Sequence, residues 1–148
     1  MGSFPDHAAV NANTGFLLKK VSTASFKAFS DIVGEHGLHP MHFGMLSMIE
    51  AEEPVSQHDL GRRTGIDPST MVGRMDALVD KGLVERTRSA DDRRNYEIRL
   101  SADGRKLLRR LRKQAAEHGE RFFSPLTDTE RKLLHELLAK LATHLDQA

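Results

Sequence analysis

The chain has 148 residues, a net charge of +1, 39% hydrophobic and 29% charged residues. That is about one domain in length and the balance of a soluble globular protein, large enough to bury a core. The lack of cysteine excludes disulfides, thiolate metal sites, a thiol nucleophile and sensing by cysteine oxidation. No apolar run approaches a membrane span and no secretory signal is visible, so the cytoplasm is the expected location.

Residues up to about Asn13 are polar and small and read as an N-terminal arm. Thr14 is the expected cap of a first helix starting near Gly15. Leu17, Leu18, Val21, Ala24, Ser25, Ala28 and Ile32 share one face of it, and Phe16, Phe26 and Phe29 widen that face. An apolar surface so wide calls for more than one neighbour. Gly34 and Gly37 end the helix, and Leu38-His39-Pro40 connects it to a second helix over Met41 to Glu50, with Phe43, Leu46 and Ile49 inward. Glu52-Glu53-Pro54 breaks that helix.

The stretch from Val55 to Leu100 organises the rest. Ser56 caps a short helix, with Asp59 three residues on to complete a capping box, and Leu60 points inward. Gly65 supplies a turn that needs positive φ. Asp67-Pro68 opens the next helix as cap and first-turn proline. Met71, Met75, Leu78 and Val79 form its buried stripe, and Gly82 ends it. Its other face carries Ser69, Thr70, Gly73, Arg74, Ala77 and Lys81. Side chains that short let a helix enter a major groove, where Arg74 can reach a guanine edge or a phosphate. Leu83 to Arg88 and Asn95 to Leu100 alternate apolar and charged residues, as strands do. The polar run Ser89-Ala90-Asp91-Asp92-Arg93-Arg94 turns between them. A hairpin tip with two arginines suits the negative potential of a narrow minor groove.

Ser101 caps a long helix to about Phe122, with Leu107, Leu108, Leu111 and Ala115 as its stripe. Ser124-Pro125 ends it, and Thr127 with Glu130 forms a capping box for the last helix. There Leu134, Leu138, Leu141 and Leu145 step by four, three and four, with Leu137 beside them, a seam suited to packing another helix. Charge is unevenly spread: Lys81 to Lys113 holds twelve basic residues against five acidic ones, a net charge of +7. A local basic stripe is the footprint that phosphate binding requires.

These elements give a mainly α fold with a small β-hairpin wing, an α+β winged helix-turn-helix with a helical dimerisation layer. The runs PSTMVGRMDALVDKGLVER and DDRRNYEIRLSADG resemble the MarR (multiple antibiotic resistance regulator) family of bacterial transcription factors, and the resemblance extends from about Thr14 to about Leu145. It implies that Arg94 enters the minor groove, that Asp92 braces the wing, and that Ser69 and Thr70 form the polar entry of the reading helix. One departure stands out. Many relatives carry Thr-Arg where this chain has Val72-Gly73, and here Arg74 follows one position later.

The expected protein is a single domain over 1–148, with a helical dimerisation and effector region at 14–51 and 101–148 and a winged helix-turn-helix at 52–100. It is expected to be a homodimeric repressor that binds a pseudo-palindromic double-stranded operator, with half-sites centred about 34–36 Å apart. The DNA contacts are assigned to Ser69, Thr70, Arg74, Arg86, Arg88, Asp92, Arg93 and Arg94. The resemblance also implies a small-molecule effector, often an aromatic acid, between the dimerisation helices and the reading unit. Phe16, Lys20, His42 and Met45 are the candidate lining, an amine and an imidazole between apolar walls. No cofactor is expected. A zinc-responsive regulator is an alternative, through His36, His39, His42 and His118, and a protein-interaction module is another. An enzyme is disfavoured by the lack of a phosphate-cradling glycine loop or a nucleophile motif.

Overall fold

The computed structural model describes residues 13–91 and 95–147. Among them are six helices and a small antiparallel sheet: α1 (Thr14–Gly34), α2 (Pro40–Glu52), β1 (Val55–Ser56), α3 (Gln57–Thr64), α4 (Pro68–Asp80), β2 (Val84–Arg88), β3 (Tyr96–Leu100), α5 (Ala102–Phe122) and α6 (Asp128–Asp146). No described helix is long and apolar enough to cross a membrane. The chain divides into two compact units, one up to Ala115 and one from Ala116.

In the first unit a single core joins the end of α1, α2, the helix-turn-helix, the sheet and the start of α5. Val33, Met45, Leu46, Ile49, Leu60, Met75, Leu78, Ile98, Leu108 and Leu111 are fully buried in it. Each such side chain contributes about 1.5–3 kcal/mol relative to exposure. Only the last turns of α1 take part. Val33 is buried, and the Phe29 ring meets Phe43 edge-on with centroids 5.2 Å apart. Toward the N-terminus of α1, Phe16, Leu17, Leu18, Val21 and Phe26 are exposed. The cap of α1 is Asn13 rather than Thr14: its side-chain oxygen accepts the Gly15 and Phe16 amides at 2.9 and 3.3 Å. Asparagine is the better acceptor at this position, and its extended backbone leaves threonine to start the helix.

The sheet order is β1-β3-β2. The outer strand β1 was not legible in the sequence, because two residues are too few for alternation to show. It pairs Val55 with Ile98 and Ser56 with Glu97. The junction of β3 with α5 is tightly specified. The Glu53 carboxylate accepts the Leu100 amide at 2.8 Å and pairs with Arg105. Burial pushes this carboxyl upward, but the bonds from Arg105 and Leu100 outweigh it and hold it below the usual glutamate range. Ser101 donates its hydroxyl to the Gly82 carbonyl at 2.6 Å and accepts the Gly104 amide at 3.0 Å, so it closes α4's exit and caps α5 at once. Farther along α5, Arg112 reaches Glu50 at 2.6 Å and Gln114 bonds His36 at 3.1 Å.

In the second unit the capping box at the head of α6 is formed. Thr127 Oγ1 accepts the Glu130 amide at 3.3 Å, and the Glu130 carboxylate accepts the Thr127 amide at 2.8 Å. Arg131 donates to Glu120 at 2.7 Å and to the Phe123 carbonyl at 3.1 Å, holding the turn into α6. No described residue of α6 is buried within the chain, and Leu133, Leu137, Leu138, Leu141 and Leu145 are exposed.

Candidate nucleic-acid interface

The reading unit begins at α3, where Ser56 Oγ accepts the Asp59 amide at 3.0 Å. The return bond of a capping box is not made. Asp59 instead accepts from Arg62 at 3.2 Å, because aspartate lacks the methylene by which glutamate reaches back to the cap. Gly65, at φ +65°, turns the chain into α4. Asp67 caps α4: its carboxylate accepts the Thr70 amide at 3.0 Å and the Ser69 hydroxyl at 2.6 Å. Hydrogen bonds from Ser69 and Thr70 hold this carboxyl well below the usual aspartate range. Met71, Met75 and Leu78 anchor α4 in the core, with Val79 packed against it. Ser69, Thr70, Val72 and Gly73 are left exposed on its first two turns, and Arg74 and Ala77 are half-buried.

The hairpin is in register from Val84 opposite Leu100 to Arg88 opposite Tyr96, and Ser89 donates to the Asn95 carbonyl at 3.0 Å. Arg86 on β2 is only 26% exposed. It donates to Asp76 of α4 at 2.9 Å and to Gln57 of α3 at 3.4 Å, and its guanidinium lies 4.8 Å from the Tyr96 ring centroid. One cation thus ties both helices of the reading unit to both long strands. Arg88, two residues on, stacks on the same ring at 5.3 Å. Asp92, Arg93 and Arg94 lie outside the described residues. Between α3, the start of α4 and the turn end of β3 runs a cleft of about 570 Å³, lined in part by Gln57, His58, Arg62, Met71, Val72 and Tyr96.

The profile of the MarR family matches residues 36–95. A Thauera aromatica protein named as a transcriptional regulatory protein for the hcr operon is 31% identical over 136 residues, which are 91% of this chain and 82% of that protein. The chain belongs to the MarR family. MarR-family structures share its fold. The transcriptional repressor CouR, solved on a 23-mer DNA duplex, superposes with a TM-score of 0.80 at 30% identity, over 95% of this chain and 99% of that one. The PcaV transcriptional regulator of Streptomyces coelicolor superposes with a TM-score of 0.75 at 26% identity, over 92% and 99%. Its proteins are transcriptional regulators, and α3, α4 and the β2–β3 hairpin are the winged helix-turn-helix that the sequence implied.

Within this MarR-family frame the four residues assigned to an effector part company. Phe16 and Lys20 are exposed on α1, and Met45 is wholly buried in the core. His42 is 4% exposed and takes part in a cap of its own. At the head of α2 the His39 ring accepts the Met41 amide at 3.1 Å, and His42 Nδ1 accepts the His39 amide at 3.0 Å. Burial, then the charges of Arg74, His39 and Lys81, lower the His42 pKa from 6.5 to about 4, so the ring is neutral near pH 7. The structure brings His42 to the outer face of α4, where Thr70, Gly73, Arg74, Ala77 and His42 line a recess of about 310 Å³. Sequence reasoning found His42 and Arg74 separately but not their meeting. For zinc, His36 and His39 are already bonded as described, and no three histidine, aspartate or glutamate side chains cluster in metal-binding reach among the described residues.

Proposed function

We propose that the protein is a homodimeric repressor that grips a pseudo-palindromic DNA duplex and is released by a small effector. The carrying observation is the Arg86 brace between α4 and the hairpin. It ties a short-sided, well-capped helix to the two strands that flank the arginine-bearing turn. In this reading α4 enters the major groove with Ser69, Thr70 and Arg74, and Arg94 enters the neighbouring minor groove. The phosphate ridge between the grooves then runs along the cleft that Gln57, His58 and Arg62 line. Arg86, with its guanidinium already committed, acts as the brace, and Arg88 and Arg93 meet phosphates. That CouR was solved on a duplex supports the reading.

The dimer is supported by apolar faces on both units, Phe16, Leu17 and Val21 on α1 and Leu137, Leu141 and Leu145 on α6, which are exposed in one chain. Their burial against a second copy supplies the hydrophobic term for association. Two reading units on a twofold axis then demand two half-sites.

Affinity for genomic duplex, measured against salt, tests the function. Neutralising about six phosphates costs roughly a thousandfold in affinity between about 50 and 200 mM salt. Arg94→Ala should weaken binding strongly. Affinity indifferent to salt, or no duplex binding in dilute buffer, would overturn the proposal.

A further inference from the structure

From Val55 to Leu100, among the described residues, Val72 is the large apolar side chain that folding leaves exposed, at 46%. Its helix buries Met71, Met75 and Leu78, and Val72 has no part in that core. Val72 faces the cleft that Gln57, His58 and Arg62 line. Arg74, two positions or about 200° farther round α4, lines the recess on the other side. Ser69 and Gly73, one turn apart, are exposed on the face between them. The Ser69 hydroxyl already donates to Asp67 at 2.6 Å, so it has no proton left for a base edge. The side chain best placed to sort bases at the middle of this helix is therefore an apolar one.

Gly73 sharpens the point. It lies inside α4 without positive φ, and a Cβ added to it would meet nothing within 4 Å. Glycine is the poorest helix former after proline, so the fold itself gains nothing from it here. What it provides is room outside the chain. With no side chain at this position the α4 backbone can draw closer to an opposing surface, and the Val72 methyls are carried down with it.

Most of what a side chain meets on the floor of a major groove is a hydrogen-bonding edge. The exception is the C5 methyl of thymine, which the other three bases lack. We infer that Val72 is a specificity-determining residue that reads a thymine methyl in each half-site, and that Gly73 lets α4 come close enough for the contact. The inference rests on the proposed DNA-reading role of α4 and adds to it the base that one position selects. A valine set against a phosphate gains nothing, whereas two apolar groups brought together both leave water. The departure at Val72-Gly73, where many relatives carry Thr-Arg, thus exchanges two hydrogen-bonding side chains for an apolar contact and a gap.

The probe is a duplex that the full chain selects from a random-sequence pool. Each thymine is replaced in turn by deoxyuridine, which keeps the base pair and removes only the methyl. At one position in each half-site the loss should weaken binding by about threefold to fivefold, the effect of one buried methyl. Cytosine there should bind worse, and 5-methylcytosine should recover about the same factor over cytosine. Val72→Ala should bind the thymine and uracil forms of that position alike, with its salt dependence unchanged because no phosphate contact is lost. Gly73→Ala should unfold at a higher temperature and yet bind the duplex about tenfold more weakly, a pairing that a purely structural glycine cannot give. A duplex with no methyl-sensitive thymine, or a sensitivity that survives unchanged in Val72→Ala, overturns the role of Val72. Undiminished binding by Gly73→Ala overturns the close approach. Failure of the wild type to select any duplex in dilute buffer refutes the DNA-reading role itself, an outcome distinct from tight binding that ignores the methyl.

Discussion

The buried glycine at the head of α5 gives the sharpest test of how the wing is joined to the long helix. Gly104 is packed so closely that a Cβ added to it would lie 2.0 Å from the Leu83 carbonyl oxygen and 3.0 Å from its carbon. That oxygen already accepts the Ser101 amide at 3.1 Å, and Ser101 in turn caps α5 and bonds Gly82. Gly104→Ala must therefore move backbone against backbone by more than 1 Å. The start of α5 has to lift from the end of α4, straining or breaking the Ser101 bonds. Overpacking costs about 1–3 kcal/mol, and each lost bond about 1 kcal/mol more. The helix preference of alanine returns only about 1 kcal/mol. A net loss of about 3 kcal/mol is expected, or a fall in Tm of roughly 10 °C for a chain of this length. Urea and thermal unfolding of the variant measure it. Gly44→Ala is the control, since Gly44 is exposed within α2 and an added Cβ meets nothing within 4 Å. The same change there should be neutral or stabilising by up to about 1 kcal/mol. A Gly104→Ala protein as stable as Gly44→Ala would refute the close approach.

Other outcomes follow from the same geometry. Arg86→Ala should weaken duplex binding without flattening its salt dependence, because a brace is lost and no phosphate contact; a slope lower by about one would make Arg86 a phosphate ligand. His42 stays neutral in the fold with its pKa lowered to about 4, so its contribution is present above pH 6.5 and is lost as pH falls toward 4. Between about pH 7 and pH 5 the wild type should lose about 2 kcal/mol more stability than His42→Gln. An equal loss in both, read from urea midpoints, would place the charge change elsewhere. Replacing Leu137 and Leu141 together by glutamate should yield monomers in sedimentation at micromolar concentration with α6 still helical; an intact dimer would move the interface off this seam.

Much of this MarR-family fold was legible in the chain because the signals are local. Asp67-Pro68 and Thr127 with Glu130 specify helix starts within one turn. Met71, Met75 and Leu78 mark a buried face by their spacing, and Gly65 marks a turn by the backbone angle it alone adopts cheaply. What the sequence could not disclose depends on partners far along the chain. Arg86 reads as one more exposed cation of a basic stripe until folding sets it on Asp76, Gln57 and Tyr96. His42 reads as a histidine at a helix start; its bond from the His39 amide is local, but only the fold buries its ring and brings Arg74 and Lys81 near it. The physical reason is the same in both cases. Spacing along a chain encodes which face is apolar, whereas the state of a polar group depends on which charges and which walls the fold brings around it.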